Sequence, residues 1–477
     1  MSDLDLCYMP ATRAMQLFRD KKLSPVELMQ AVIKRAETMQ PITNAFTFTY
    51  FEEALKLARK AEDKFANGRR TRALEGLPIG IKDESYIKGK PTSGGSLTMK
   101  DFVPDTTSIV NDRILKAGGI VHARTATPEF SCAGYTHSRL WGVTRNPWNP
   151  QFTPGGSSGG SSSSLASGTS AICTGSDIGG SIRIPAGTCG LVGYKPPYGR
   201  NPDDPPFNLD FYCHTGPLAR TVGDAITLQN VMAGPHPTDI ASLRPKLRLP
   251  ADYKPITGWK IAYSPDLGFY EVDADVRRNT EAALDVFRAA GATVEEVKLG
   301  WTEETLDAAL AYLEHLFGAY IAERLEASAD LLTGYARQFA EKGQNSTPEK
   351  FLWSLEVAGR MYNELGPLLD KYDCLVCPTN ALPAVPADFD HSTDEVQING
   401  KTVNPMLGWV MTSPFNTMSR CPVITMPSGR AANGVPTSIQ IVGKTYRDAD
   451  VMRAAMAYET EAGQWFTGPD LRPVTPV

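Results

Sequence analysis

Two glycine-rich turns, each carrying a serine, are the features of this sequence that could do chemistry. The first reads Gly-Gly-Ser-Ser-Gly-Gly over residues 155–160, and the second reads Gly-Ser-Asp-Ile-Gly-Gly-Ser over residues 175–181. No charge run or composition shift flanks them, so a linker is a poor interpretation. Consecutive glycines leave backbone N–H groups unobstructed, and serine supplies a nucleophilic hydroxyl. The pattern favours a catalytic loop or a cradle for an anion.

Ser158 lies in a Gly-x-Ser-x-Gly sequence, and the first hypothesis is a nucleophile elbow with Ser158 as the attacking group. Such an elbow needs a strand directly before the serine, because the strained turn from strand to helix exposes the hydroxyl. The preceding residues 146–154 contain three prolines, which argues against a central strand. A phosphate loop is the second hypothesis, but its Gly-x₄-Gly-Lys-Ser/Thr pattern is absent.

A serine hydrolase with a lysine base is the third hypothesis. Lys82 follows the apolar run Leu-Pro-Ile-Gly-Ile of residues 77–81, which we expect to be a core strand. If Lys82 is buried beside hydroxyls rather than carboxylates, its charged form is disfavoured and the amine can accept a proton. The alternative is a solvated lysine at a strand end, which is the common situation for lysine. Gly179, Gly180 and Ser181 would then offer N–H groups to the oxygen of a tetrahedral intermediate.

Alternating strand and helix patterns surround these residues. A helical pattern over 107–117 ends at two glycines and leads into a strand over 120–125, and a second strand–helix–strand unit spans 259–298. Such alternation predicts an α/β fold with a largely parallel or mixed sheet and helices on both faces. Further predictions are helices within 11–66, with a capping box at Ser24 and Glu27, mostly helix in 302–371, a proline-rich loop in 378–414, strands at 423–426 and 438–442, and a closing helix at 448–458.

Composition argues against several kinds of partner. The 477 residues carry 48 Lys and Arg against 53 Asp and Glu, without a basic stripe, so nucleic acid is a poor candidate ligand. The chain starts with acidic residues and has no run of about 18 apolar residues, so we expect a soluble, cytoplasmic protein without a membrane partner. The Cys374-x-x-Cys377 pair is interpreted as part of a buried strand, and no second cysteine or histidine pair completes a metal site. We expect no metal and no cofactor.

Taken in full, the two turns resemble the signature of the amidase signature family of C–N hydrolases. The spacing fits as well, because Ser157 follows Lys82 by 75 residues and precedes Ser181 by 24. The resemblance covers most of the chain from about residue 20 to about residue 460, apart from 300–420. Segments that resemble the family in the same order are Leu-Pro-Ile-Gly-Ile-Lys-Asp (77–83), Thr-Pro-Glu-Phe (127–130), Thr-Arg-Asn-Pro-Trp (144–148), Gly-Pro-Leu-Ala-Arg-Thr-Val (216–222) and Gln-Ile-Val-Gly (440–443).

The resemblance implies the amidase signature fold, in which a large mixed sheet lies between layers of helices. It implies one structural domain overall, with an N-terminal helical region over 1–70 and an α/β/α region over 71–477. Within the second region, residues 300–420 would vary and help to form the substrate pocket.

The resemblance also implies roles for individual residues. Ser181 would be the nucleophile, Ser157 the bridging serine on a cis peptide bond, and Lys82 the base. The backbone N–H groups of Ile178, Gly179, Gly180 and Ser181 would form the oxyanion hole. The side chains of Ser158, Asp177 and Arg183 would support the loop. We interpret Asp177 and Arg183 as a buried ion pair, and the run Ser161 to Ser164 as small residues that start a tightly packed helix.

The implied reaction is hydrolysis of a small-molecule carboxylic amide through an acyl-enzyme. The same oxyanion hole would serve esters, anilides and carbamates. Several aromatic residues favour an apolar or aryl substrate, although packing in the hydrophobic core explains them equally well. They are Phe207, Phe211, Tyr212, Trp301, Phe317 and Phe415. Two alternatives stay open. One is an A-type component of a multi-protein amidotransferase, although residues 201–207 do not resemble that component. The other is a non-catalytic binding relative. A homodimer is also left open.

Overall fold

The central feature of the fold is an 11-stranded mixed β-sheet. The structure is a computed structural model that describes residues 1–323, 325–468 and 471–473. The strands are β1 (Phe46–Thr49), β2 (Pro78–Lys82), β3 (Ile120–Thr125), β4 (His137–Ser138), β5 (Gly142–Val143), β6 (Ile172–Ser176), β7 (Val192–Lys195), β8 (Thr215–Ala219), β9 (Lys260–Tyr263), β10 (Thr293–Glu296), β11 (Cys374–Pro378), β12 (Val396–Ile398), β13 (Lys401–Val403), β14 (Val423–Arg430) and β15 (Pro436–Val442). The order in the 11-stranded sheet is β1-β3-β2-β6-β8-β7-β14-β15-β11-β9-β10, while β4 pairs with β5 and β12 pairs with β13 in two separate two-stranded sheets.

Helices flank this sheet and account for most of the remaining regular structure. They are α1 (Asp3–Tyr8), α2 (Ala11–Arg19), α3 (Pro25–Thr43), α4 (Phe51–Ala66), α5 (Ile109–Lys116), α6 (Gly159–Ala166), α7 (Arg183–Cys189), α8 (Val222–Met232), α9 (Ala274–Ala289), α10 (Glu304–Leu313), α11 (Ala319–Ala322), α12 (Leu325–Ser328), α13 (Gly334–Gln344), α14 (Pro348–Lys371), α15 (Pro414–Thr417) and α16 (Asp448–Ala462). Within these described residues, no helix is both long enough and apolar enough to cross a membrane.

Both predicted strand–helix–strand units are confirmed. Strands β2 and β3, joined through α5, are parallel neighbours in the sheet, and so are β9 and β10, joined through α9. The predicted capping box at the start of α3 is present, since the Ser24 hydroxyl accepts from the backbone at Glu27 and the Glu27 carboxylate accepts from the backbone N–H of Ser24. Antiparallel pairs make up the middle of the sheet, from β6 through β15 to β11, so the sheet is mixed.

Apolar side chains cover both faces of the sheet. Along β11, Cys374 and Val376 join one large hydrophobic cluster, while Leu375 and Cys377 join a second, as expected when successive side chains point to opposite faces. Helix α16 packs on α8 and α9, and α6 packs on α7. The prediction of an α/β fold with a sheet between helices is confirmed, as is the interpretation of the two cysteines as part of a buried strand.

Two strand features were not predicted. Strand β1 is four residues long and lies between two helices, too short for its alternation to be read, yet it pairs with β3 at the edge of the sheet. Its Phe46 packs against Ala36 and Ala123, which ties the N-terminal helices to the sheet. The prediction of a loop over 378–414 was wrong for the hairpin β12–β13, whose turn contains Asn399 and Gly400 with positive φ angles.

Candidate active site

Lys82 is the last residue of β2, and its side chain is 1% exposed. Its Nζ donates hydrogen bonds to Ser157 Oγ at 2.7 Å and to Ser176 Oγ at 2.8 Å. Its backbone N–H donates to Thr174 Oγ1 on the adjacent strand β6, which fixes the end of β2. Burial lowers the pKa of the Lys82 ammonium, because the charged form is poorly solvated there. The strand predicted at 77–81 therefore delivers a buried lysine to two hydroxyls.

A carboxylate also reaches Lys82, which differs from the expectation of hydroxyls alone. Glu84 Oε2 lies 2.9 Å from Lys82 Nζ and forms an ion pair with it. The Glu84 side chain is 26% exposed, whereas that of Lys82 is 1% exposed. The same carboxylate oxygen accepts a hydrogen bond from Ser131 Oγ at 2.5 Å. The negative charge opposes the effect of burial on the pKa of Lys82.

The first glycine-rich turn holds Ser157 by close backbone packing. The Gly156–Ser157 peptide bond is cis. A Cβ atom on Gly156 would overlap the backbone of Tyr135, so only glycine fits there. Ser157 itself is 1% exposed. The N–H of Ser158 donates to the carbonyl oxygen of Ser181 at 3.2 Å, and this bond joins the first turn to the second.

Helix α6 begins directly after the first turn and is buried along its whole length. Ser161 Oγ donates to the carbonyl oxygen of Thr174, and Gly160 allows an approach to Ala126 that a Cβ would obstruct. The interpretation of residues 161–164 as small residues of a tightly packed helix is confirmed. In the described residues 144–158 there is no strand, so Ser158 lacks the strand that a nucleophile elbow requires.

The second turn leads from β6 into α7 and carries Ser181, which is 6% exposed. Among the described residues, the backbone N–H groups of 178–181 have no protein acceptor. Gly180 has φ +129°, and a Cβ there would overlap the Thr412 side chain. Thr412 Oγ1 donates to the carbonyl oxygen of Gly179 at 2.8 Å, which turns the peptide groups of the loop. The loop thus presents a row of unpaired donors, as an oxyanion hole requires.

Asp177 and Arg183 clamp the two ends of this turn. Arg183 Nε and an Arg183 terminal nitrogen each donate to the Asp177 carboxylate at 2.9 Å, and both side chains are fully buried. Burial alone would raise the pKa of Asp177, but the Arg183 charge and its hydrogen bonds outweigh that effect and hold the pKa well below its usual range. Asn416 donates to the same carboxylate at 2.8 Å. The interpretation of Asp177 and Arg183 as a buried ion pair is confirmed.

Two cavities adjoin the turns. A cavity of about 190 Å³ is lined by Ser157 and Ser176, and a smaller one of about 40 Å³ is lined by Ser181. Ser131, Ile178 and Phe317 line both, so the two cavities meet at the second turn. Phe130 and Phe207 add aromatic surface to the larger cavity, and Leu313, Phe339 and Met406 add apolar surface to the smaller one.

The aromatic residues singled out from the sequence divide between pocket and core. Phe207 and Phe317 line the larger cavity. Tyr212, Trp301 and Phe415 are at most 4% exposed and belong to a core cluster, against which the partly buried Phe211 packs. Sequence reasoning missed several residues that line the larger cavity, namely Glu84, Ser176, Phe130, Asp203 and Asp204.

Comparisons with known proteins give the family. A model of the family described as Amidase matches residues 27–452. The chain belongs to the amidase signature family. An acylamidase from Rhodococcus erythropolis is 30% identical over 472 residues, covering 96% of each chain. The A component of the glutamyl-tRNA(Gln) amidotransferase from Carboxydothermus hydrogenoformans is 29% identical over 489 residues, covering 96% of this chain and 98% of that protein.

Solved structures agree with this family assignment. The crystal structure of a bacterial aryl acylamidase of the amidase signature family superposes with a TM-score of 0.89 at 28% sequence identity, covering 95% of this chain and 96% of that one. This amidase signature enzyme is therefore a hydrolase that acts on C–N bonds. Within the described residues, no cluster of three or more histidine, cysteine or acidic side chains could hold a metal ion.

Proposed function

We propose that this enzyme hydrolyses a carboxylic amide through an acyl-enzyme on Ser181, with an apolar or aryl small molecule as its substrate. The observation that carries the proposal is the 2.7 Å hydrogen bond from Lys82 Nζ to Ser157 Oγ, beside the turn that carries Ser181. A buried amine in contact with a serine hydroxyl is a base positioned to receive that hydroxyl's proton.

Acylation would proceed by a relay of two protons. Lys82, in its amine form, takes the proton of Ser157, and Ser157 takes the proton of Ser181 while Ser181 Oγ attacks the amide carbon. The N–H groups of Ile178, Gly179, Gly180 and Ser181 would bind the oxyanion, and each such donor is typically worth roughly 10²–10³ in rate. The proton then returns through Ser157 to the leaving nitrogen as the C–N bond breaks. Water, deprotonated by the same relay, hydrolyses the ester on Ser181.

The walls of the two cavities support an apolar or aryl substrate. Phe130, Phe207 and Phe317 provide aromatic surface around the larger cavity, and such surfaces bind aryl groups by edge and face contacts. The similarity to an acylamidase and to an aryl acylamidase supports the same class. Esters, anilides and carbamates pass through a similar oxyanion and belong in the range of candidate substrates.

The A component of a multi-protein amidotransferase is the second candidate. Several relatives at 29–31% identity carry that description, so identity alone does not separate the two functions. Such a component depends on its partner proteins for activity. The purified chain would then show little hydrolysis of small aryl amides on its own and would co-purify with those partners.

Screening the purified enzyme against matched aryl amides, aliphatic amides, carbamates and esters, with products read by mass spectrometry, tests the proposal. We expect hydrolysis of aryl amides and labelling of Ser181 by a fluorophosphonate probe. Ser181→Ala should abolish both while the near-ultraviolet circular dichroism stays unchanged. Ser158→Ala is the matched control, and it should still be labelled at Ser181. Labelling of Ser158 instead of Ser181 would contradict the assigned nucleophile.

A further inference from the structure

The ion pair between Lys82 and Glu84 is a feature that the relay itself does not use. Glu84 lies two residues after Lys82, and its backbone N–H donates to the Lys82 carbonyl oxygen at 2.9 Å in a tight turn. This turn brings the carboxylate back to Lys82 Nζ at 2.9 Å. The Ser131 hydroxyl, which donates to the same carboxylate oxygen, holds it on the cavity side of the lysine.

Lys82 Nζ has three close acceptors, Ser157 Oγ, Ser176 Oγ and Glu84 Oε2. An ammonium group has three N–H donors and no lone pair, so this surrounding satisfies the ammonium form completely. An amine has two N–H donors and one lone pair. To act as a base it must lose one proton and turn its lone pair toward Ser157. The resting arrangement therefore favours the form that cannot accept a proton.

Other charged groups near the pair are either compensated or not in contact with Lys82. Asp83 on the same turn accepts hydrogen bonds from Ser93 and lies 3.6 Å from Arg124. Asp177 is paired with Arg183. The other titratable groups that line the cavities at Lys82 and Glu84, among the described residues, are Asp203, Asp204 and Cys213 from the segment between β7 and β8, and the phenols of Tyr86 and Tyr320.

We propose that Glu84 is a positioning residue that holds Lys82 in its ammonium form at acid pH, and so sets the pH above which the enzyme turns over. This inference rests on the proposed function, since it requires Lys82 to be the base. An opposite charge in direct contact favours the charged form of a lysine, while burial disfavours it. Both effects act on the pKa of Lys82, where burial is the larger and lowers it, and the Glu84 charge raises it.

The consequence is a defined shift of the pH profile. Removing the Glu84 charge takes away the largest effect that opposes burial, so the pKa of Lys82 falls and the amine form is available at lower pH. Glu84→Gln keeps an oxygen that can accept from Lys82 and Ser131, so the geometry is preserved. We expect the acidic limb of kcat/KM to move to lower pH by about one unit or more, with the plateau within about tenfold of wild type.

The test measures kcat/KM on an aryl amide and the rate of fluorophosphonate labelling at Ser181 from about pH 5 to about pH 10, a range that brackets the lowered pKa of a buried lysine. About one unit below the wild-type midpoint, Glu84→Gln should be labelled about fivefold faster than wild type, or more, when each is scaled to its own plateau. Two matched controls remove a carboxylate from the same cavity without breaking the ion pair. They are Asp204→Asn and Asp203→Asn, and the second matters because burial raises the pKa of Asp203 to about 7.

Three outcomes overturn this inference alone and leave the proposed function standing. An unchanged acidic limb in Glu84→Gln removes Glu84 from control of the lysine, and a uniform loss at every pH assigns it a structural role only. A limb that moves in Asp203→Asn and not in Glu84→Gln assigns the titration to Asp203. A fourth outcome, wild-type enzyme that is not labelled at Ser181 at any pH, refutes the proposed function and this inference together.

Discussion

Two lysines are buried at the ends of strands in this enzyme, and they have different partners. Lys82 ends β2 and contacts two serine hydroxyls and a carboxylate. Lys195 ends β7, and its Nζ donates to the carbonyl oxygens of Cys421 at 3.0 Å and Ser419 at 3.4 Å and lies 3.5 Å from Nε2 of the buried His214. Burial lowers the pKa of both, that of Lys195 to about 7.

Burial and a lowered pKa do not by themselves make a lysine a catalytic base, because the contacting atom must also be able to give up a proton. A carbonyl oxygen carries no proton, so the carbonyl partners of Lys195 can only accept from it. The hydroxyl of Ser157 can both accept from Lys82 and give a proton to it. What distinguishes the two sites is the chemistry of the contacting atom, since both side chains are buried. The positive charge of Lys195 instead helps to lower the pKa of Asp177.

The largest effect is expected from replacing the two lysines in turn. Lys82→Met removes the proposed base and should lower kcat by about 10³-fold or more, at or above the middle of the range for general base catalysis. Lys195→Met, the matched control, should keep kcat close to that of wild type. Both are measured with an aryl amide at one mildly alkaline pH, after circular dichroism has shown that each variant is folded. Similar losses in the two variants would refute the distinction.

A smaller effect is expected from the second hydroxyl at Lys82. Ser176→Ala removes the acceptor at 2.8 Å and leaves the amine less well oriented toward Ser157. A hydrogen bond to a charged group is worth about 1.5–3 kcal/mol, so we expect kcat to fall by about tenfold or more while KM changes little. Ser162→Ala is the control, because Ser162 Oγ is buried without a partner among the described residues. Equal kcat values for the two variants would show that Ser176 does not orient the lysine.

A third expected effect concerns the dependence of stability on pH. The folded-state pKa of Lys195 is about 7 against 10.5 for an ordinary lysine. Between these values the unfolded chain binds one more proton than the folded one, so this group makes stability rise with pH by about 1.4 kcal/mol per unit. Lys195→Met lacks this contribution of the lysine. The difference in free energy of unfolding between wild type and Lys195→Met should therefore change by about 1.4 kcal/mol per pH unit between the two pKa values. Urea unfolding of both proteins measures it, and parallel pH curves would contradict the lowered pKa of Lys195.

The sequence predicts the elements and the reactive side chains for definite reasons. The strand before Lys82 and the units at 107–125 and 259–298 have regular periodicity and glycine stops, which report local structure directly. The turn 177–183 can be anticipated because its glycines, Asp177 and Arg183 stand close together in the sequence. The bridging role proposed for Ser157 came from resemblance to a family, since the residue pattern alone raised Ser158 as a first hypothesis and the prolines before it argued against that hypothesis.

Other parts of the site depend on contacts between distant segments. Glu84 meets Lys82 because a turn reverses the chain there, and it meets Ser131 across 47 residues of sequence. Side-chain directions in such turns follow from tertiary packing and have no periodic signature. The pocket position of Phe130 depends on its positive φ of 50°, which is uncommon for an aromatic residue and cannot be read from composition. Strand β1 was missed because four residues are too few to show alternation.

The edges of the central sheet have a consequence for handling the protein. One edge is the short strand β1, whose register is interrupted between Phe46 and Phe48, and the other is β10, which carries Glu295 and Glu296. Short, irregular or charged edge strands resist pairing with strands of other molecules. A truncated form that lacked β1 and the helices before it would expose the edge of β3, all of which is buried in the full chain. We expect such a form to aggregate, so N-terminal trimming is an unsuitable route to better crystals of this enzyme.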